Sequence, residues 1–140
     1  MSDTPVSLAS LMTPSKTVTI DFPGYKGFTV DLTYLAREEL LKLRKKCLST
    51  KFNKKTHVPE EVLDDEKFIE HYTTEVVKGW SGLKYRYLEE FLLVDIYQFD
   101  PDDELPYTQD NAILMMKNSN GFDTWVTETA GDLENFTGSK

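Results

Sequence analysis

The residues in this chain able to do chemistry are few, and their spacing assembles none of the usual catalytic sites. One cysteine, Cys47, and two histidines, His57 and His71, are the whole stock of soft or near-neutral titrating groups. A catalytic thiol needs a histidine beside it, so Cys47 would have to find His57 or His71 across the fold, and nothing local supplies that pairing. Cys47 instead continues a leucine stripe and reads as a small buried hydrophobe. His71, between Glu70 and Tyr72, has no second histidine or carboxylate at metal-ligand spacing and reads as a helix-surface residue. The acidic run Asp100-Pro101-Asp102-Asp103-Glu104 invites a calcium reading. However, the sixth and twelfth positions counted from Asp100 are Leu105 and Asn111, where an EF-hand loop needs Gly and Glu. It reads as a solvated acidic loop. No Gly-rich phosphate loop, G-x-S-x-G elbow, H-E-x-x-H or C-x-x-C occurs. The expectation is a non-enzyme with no cofactor and no metal.

Composition points to a protein that binds other proteins. The 140 residues carry a net charge of −8, and 39% of them are hydrophobic. A nucleic-acid binder needs surplus cations to replace counterions, so nucleic acid is excluded as the main partner. Arg44, Lys45, Lys46, Lys51, Lys54 and Lys55 form a local exception among 16 basic residues. That cluster reads as the solvated end of a helix, where cations suit the negative end of the dipole. No apolar run approaches membrane-spanning length, and the polar start of the chain does not read as a signal peptide, so no membrane partner is expected. The length suits one domain with one core.

The elements that must position any site follow from periodicity. Residues 1–16 read as a flexible N-terminal arm, 17–136 as a single globular domain and 137–140 as a disordered tail. Val18, Ile20 and Phe22 alternate on one side of Pro23-Gly24-Tyr25-Lys26-Gly27, and Phe28, Val30 and Leu32 alternate on the other, which predicts a β-hairpin. Leu32, Ala36, Leu40, Leu43 and Cys47 then recur at helical spacing, with Asp31 or Thr33 placed to cap. Residues 49–63, containing Pro59, read as a polar connection. A second helix opens at Asp64 and Asp65, presents Phe68, Ile69, Tyr72 and Val76, and closes at Lys78-Gly79. Residues 83–99 mix periods. They predict a short helix near 85–92 and then an extended piece, either part of the core or an exposed apolar patch. Thr108 caps a helix that turns Ile113, Met116 and either Ala112 or Met115 inward. Asn118–Gly121 reads as a turn, and Phe122, Trp125, Val126, Thr129, Leu133 and Phe136 form the clearest helical stripe. A link this short implies an antiparallel helical pair. The fold class expected is α+β, mostly α-helical, with the N-terminal hairpin packed on a small bundle of about four helices. Trp80 and Trp125 are expected to fill core volume.

Two segments carry a family pattern. Lys78-Gly79-Trp80-Ser81-Gly82-Leu83 resembles the W-x-G-(L/V) signature of the tail assembly chaperones of long-tailed, siphophage-type bacteriophages. Leu105-Pro106-Tyr107-Thr108 with Asn111 matches the (I/L)-P-(F/Y)-(S/T)-x-x-N segment that follows it in that family. The apolar helix at Ile113–Lys117, Phe122 and the terminal helix Trp125–Phe136 continue the pattern. The insert between Leu83 and Leu105 is longer and more apolar than the family's. The resemblance implies a protein that binds the tape measure protein, with the tail tube protein a second partner. It would promote tail tube assembly in the cytoplasm of the infected bacterial host without entering the virion, and self-association is compatible with that role. The other functions compatible with the sequence are a structural tail or connector component and a small host-inhibiting binding protein. For a chaperone, Met115 and Met116 are the candidate partner-binding residues. Neighbouring helical positions lie about 100° apart, so one of the two is expected on the surface, and methionine suits an adaptable groove.

Overall fold

The computed structural model describes residues 5–137. Expectations for residues 1–4 and 138–140 lie outside the described residues. The first described element, α1 (Leu8–Leu11), is a single exposed helical turn. Strand β1 (Ser15–Asp21) then begins ahead of the alternation that starts at Val18. It pairs antiparallel with β2 (Thr29–Leu35) from Ser15 opposite Leu35 to Asp21 opposite Thr29. Gly24 and Gly27 take left-handed backbone in the connection. Phe28, Val30 and Leu32 all point into the core, as their spacing requires. Thr17 and Thr33 join hydroxyls across the pair at 2.7 Å.

The fold is not the helix-dominated one the periodicity suggests. The described residues are 41% helical and 25% strand, with six helices and five strands in two antiparallel sheets. The N-terminal hairpin is extended to three strands in the order β1-β2-β5 by β5 (Val77–Ser81). A second sheet joins β3 (Leu48–Asn53) to β4 (Val58–Leu63).

Both missed elements have local reasons. Lys78-Gly79 resembles the close of a helix, but α3 (Asp65–Val76) runs into β5 with no loop between them. Gly79 instead lies opposite Asp31 beside a register shift in the sheet, and a Cβ there would stand 2.6 Å from the Asp31 carboxylate. A side chain at that position would have to displace the Asp31 carboxylate, which is held by the Thr19 hydroxyl. The β3–β4 hairpin has no alternating pattern because most of it is exposed on both faces. Pro59 is tolerated because each strand of a two-stranded sheet is an edge. The Asn53 side chain orders the turn, its Oδ1 accepting the N–H groups of Lys55 and Thr56 while its Nδ2 donates to Glu60. His57 takes the left-handed conformation, φ 59°.

Helix α2 (Arg37–Lys46) begins only after β2 has ended, so Leu32, Asp31 and Thr33 belong to the strand and Ala36 occupies the cap without a side-chain bond. Glu38 and Glu39 in its first turn and Arg44, Lys45 and Lys46 in its last suit the helix dipole. Asp64 caps α3 by accepting the Lys67 N–H at 3.1 Å. Helix α4 (Tyr85–Leu88) is a single turn, followed to residue 104 by bends and turns. Thr108 caps α5 (Gln109–Asn118) through the Asn111 N–H at 3.0 Å, as the sequence suggests. Ser119 is the whole link to α6 (Asn120–Ala130), ending one helix and capping the next through the Phe122 N–H. A one-residue link is shorter than an antiparallel helical hairpin needs, and α5 packs chiefly on α3. Lys117 fastens that contact, donating to Glu70 at 2.9 Å and Glu66 at 3.3 Å, and these bonds, to Glu70 first, raise its pKa. A 3-10 turn (Leu133–Asn135) delivers Phe136 back to the core beside Tyr34.

The core is one cluster between the three-stranded sheet and helices α3, α5 and α6. Phe22 is an aromatic hub: its ring lies 5.3 Å from Phe28, 5.2 Å from Phe91 and 4.3 Å from Trp125. Phe122 is fully buried, with Trp80 and Phe91 each at 6.2 Å. Trp125 is only half-buried. The two truncations should therefore differ. Phe122→Ala is expected to destabilise by about 3–5 kcal/mol and Trp125→Ala by about 2 kcal/mol, measured by urea denaturation. Equal losses would show that Trp125 carries as much of the core as Phe122.

Candidate partner-binding surface

The two motif segments, separated by the α4 excursion, fold onto each other. Trp80 lies near the end of β5, its indole N–H donating to the Leu105 carbonyl at 2.9 Å. Tyr107 returns the contact, its hydroxyl donating to the Val77 carbonyl at 2.7 Å, and the two rings meet edge to face at 5.2 Å. The Leu105 N–H donates to the Leu83 carbonyl at 2.8 Å, and the Gly82 N–H donates to Glu104 at 3.0 Å. Lys84 and Glu104 add an isolated antiparallel bridge. Gly82 has φ 78°, and a Cβ there would overlap the Gly27 carbonyl. No other residue fits that position without moving the N-terminal hairpin. Asn111 closes the second motif by donating to the Pro106 carbonyl at 3.2 Å. The motif residues thus hold the structure together, Trp80 and Tyr107 through their rings and hydrogen bonds, Gly82 through close approach, Leu105 as a carbonyl acceptor and Thr108 as a helix cap.

Met115 and Met116 lie on α5 but not at the surface. They are 1% and 4% exposed, so the expectation that one of them faces solvent fails. Helix α5 is covered by α3 on one side and α6 on another, and the combined sector is wide enough to hold neighbours about 100° apart. The exposed apolar residue of this helix is Leu114.

Other apolar surfaces are open among the described residues. The first is a cleft of about 270 Å³ between β2, α2, α3 and α6, walled by Leu35, Leu40, Phe68, Tyr72, Val76 and Ala130. Arg44 stands at it with its guanidinium 5.8 Å from the Phe68 ring. Burial, and secondarily the nearby Asp123 carboxylate, push the Tyr72 hydroxyl up to about 12. Burial also raises Asp123 itself. The second surface is the irregular segment after α4. Leu93 and Tyr97 are 106% and 90% exposed, with Phe99 half out of the core against Tyr85. Of the two readings of residues 83–99, each holds for a different part: Leu83 and Leu88 are core, while 93–99 is an exposed apolar patch. The adjacent acids Asp95, Asp100 and Asp102 accept N–H groups or pair with Arg86, ordering a loop.

The remaining reactive residues stay apart. Cys47 is a fully buried free thiol, His71 is exposed on α3, and His57 sits in the β3–β4 turn near the Phe52 ring. Among the described residues no group of three or more His, Cys, Asp or Glu side chains is placed to hold a metal ion. No described helix is long and apolar enough to cross a membrane. The cleft was not visible in the sequence because its walls come from four separate elements. The exposed loop had a signal, the break in helical period after Phe91 beside an acidic run.

These features define a small mixed α+β protein whose distinctive surfaces are apolar. Residues 35–140 match the YdaY prophage protein family, and the chain belongs to that family. It is thus a protein of phage origin. No curated protein and no solved structure matches the chain.

Two outcomes are expected at these sites. Trp80→Phe keeps a ring but leaves the Leu105 carbonyl without its donor, which should lower stability by about 1–3 kcal/mol in urea denaturation; an unchanged midpoint would show that the bond contributes nothing. For Tyr72, a folded pKa raised above the ordinary value of 10.0 means that the neutral form is favoured in the folded protein. The resulting stability is fully present below about pH 10 and is lost as pH rises from about 10 towards 12. Tyr72→Phe should flatten that part of the stability profile, and an unchanged slope would place the titration elsewhere.

Proposed function

We propose that the protein is a tail assembly chaperone, which binds the tape measure protein in the host cytoplasm and promotes tail tube assembly without entering the virion. It acts by binding and not by catalysis. The observation that supports this reading is the apposition of W-x-G-L and L-P-Y-T-x-x-N. The two segments that carry the family resemblance meet through the Trp80–Leu105 and Tyr107–Val77 hydrogen bonds and form one structural unit. Phage origin agrees with it. The cleft between α2, α3 and α6 supplies a mode of action. It offers Leu40, Phe68, Tyr72 and Ala130 to the apolar stripe of an amphipathic helix, the helix-in-groove mode of recognition.

The test is co-expression with the tape measure protein of the same prophage, affinity capture, and mass spectrometry of purified particles. The chaperone should capture the tape measure protein and be missing from the particles. Phe68→Glu should retain the circular dichroism spectrum and lower capture at least about tenfold, as loss of a central apolar anchor does. Recovery from particles in stoichiometric amount would make the protein a structural tail or connector component. Failure to capture the tape measure protein at all would also overturn the proposal.

A further inference from the structure

The chain carries two exposed apolar patches whose surrounding charges are opposite. Residues 89–104 contain several carboxylates and no Lys or Arg, and from their midst Leu93 and Tyr97 project almost fully into solvent. Of these acids, Asp102 is held by Arg86 and Glu104 by the Gly82 N–H, while Asp103 and Glu89 have no cation beside them among the described residues. The second patch is cationic. Helix α2 and strand β3 border a groove of about 460 Å³. Its apolar floor is Leu41 and Leu48, both exposed; Arg44 and Lys45 stand along its rim, with Lys42, which pairs with Glu38 of the same rim and with Glu39. Lys45 and Lys46, with Lys51, Lys54 and Lys55 on the neighbouring hairpin, make no ion pair with any other described residue. A groove with net positive charge and an apolar floor complements an anionic loop with apolar tips in charge and in apolar character.

We propose that the 93–99 loop of one copy docks in the α2–β3 groove of a second copy. Leu93 and Tyr97 enter the groove over Leu41 and Leu48, and the acids of 89–104 face Arg44 and Lys45, which carry no ion pair of their own among the described residues. The two surfaces are different parts of the same chain, so the contact is head-to-tail. Each copy keeps a free groove at one end and a free loop at the other, and association continues into a ring or a string. This inference stands apart from the chaperone reading, and the tape measure protein takes no part in its test.

The experiment is sedimentation velocity on three full-length proteins: the wild type, Leu93→Glu/Tyr97→Glu and Leu41→Glu/Lys45→Glu. Wild type should self-associate with rising concentration, and association should weaken at least about tenfold in molar salt, where the screening length falls to about 3 Å. Each variant should be monomeric, since one of its two surfaces is spoiled. Mixed one to one, the variants should form a dimer and stop there, because only one intact groove and one intact loop remain. A wild type that stays monomeric to about millimolar concentration, where even a weak contact would show, overturns the proposal. So does a variant that associates like the wild type, or a mixture that stays monomeric. The substituted residues are exposed, and circular dichroism checks the fold. If a Glu variant unfolds, Tyr97→Ser and Lys45→Ser replace it with the same outcomes required.

Discussion

The fold depends on the clasp that Trp80 and Tyr107 make between the end of β5 and the start of α5. Between them the chain makes a long excursion through a one-turn helix and an irregular acidic loop, with little regular hydrogen bonding of its own. Closing a loop of that length costs conformational entropy. The clasp offsets it at the base. Two reciprocal side-chain-to-backbone bonds, an edge-to-face ring pair and three backbone bonds, from Leu105 to Leu83, Tyr85 to Asp103 and Arg86 to Pro101, fix the ends of the excursion. Gly82 then lets the same strand end press against Gly27 in the N-terminal hairpin. One junction thus ties the first hairpin, the third strand and the helical C-terminal part together.

This arrangement divides the molecule into parts that hold and parts that are free to bind. The core is aromatic and dense around Phe22, Phe28, Phe91 and Phe122, and its polar groups are satisfied: among the described residues no buried side-chain nitrogen or oxygen lacks a partner. Of the apolar side chains left outside it, Leu93 and Tyr97 lie on the loop, and Leu41, Leu48 and Phe52 on the α2–β3–β4 projection. Charge is biased the same way: the loop carries anions only, while cations outnumber the four glutamates on the projection. A residue type alone does not tell a core element from a binding surface here. Met115 and Met116, adaptable side chains suited to a groove, fill the interior between α3 and α6 instead.

Where one face of an element is buried, its sequence pattern can be read. Val18-Ile20-Phe22 and Phe28-Val30-Leu32 announce the first hairpin, Asp64 and Thr108 mark two helix starts, and Phe122, Trp125 and Val126 a third apolar face, although the helix ends at Ala130 and Leu133 of the same stripe is exposed. The pattern cannot be read where burial is absent or supplied from elsewhere. The β3–β4 hairpin shows solvent to both faces, so no alternation records it. Strand β5 follows a helix without a break, and its Gly79 answers to Asp31 across the sheet, not to a helix end. The burial of both Met115 and Met116 is hidden in the sequence because two packing partners for α5 cannot be counted from its own ten residues. The cleft draws its walls from four elements and leaves no trace in any one of them.

Native-state hydrogen exchange tests the role of the clasp most directly. The Leu105 amide, bonded to the Leu83 carbonyl at 2.8 Å, should exchange only through global unfolding, with the slow rate of the β2 amides at the centre of the sheet. Amides of residues 93–97 within the excursion should exchange far faster. A Leu105 amide that exchanges as fast as those of the loop would contradict the account, because the junction would then open without unfolding the protein.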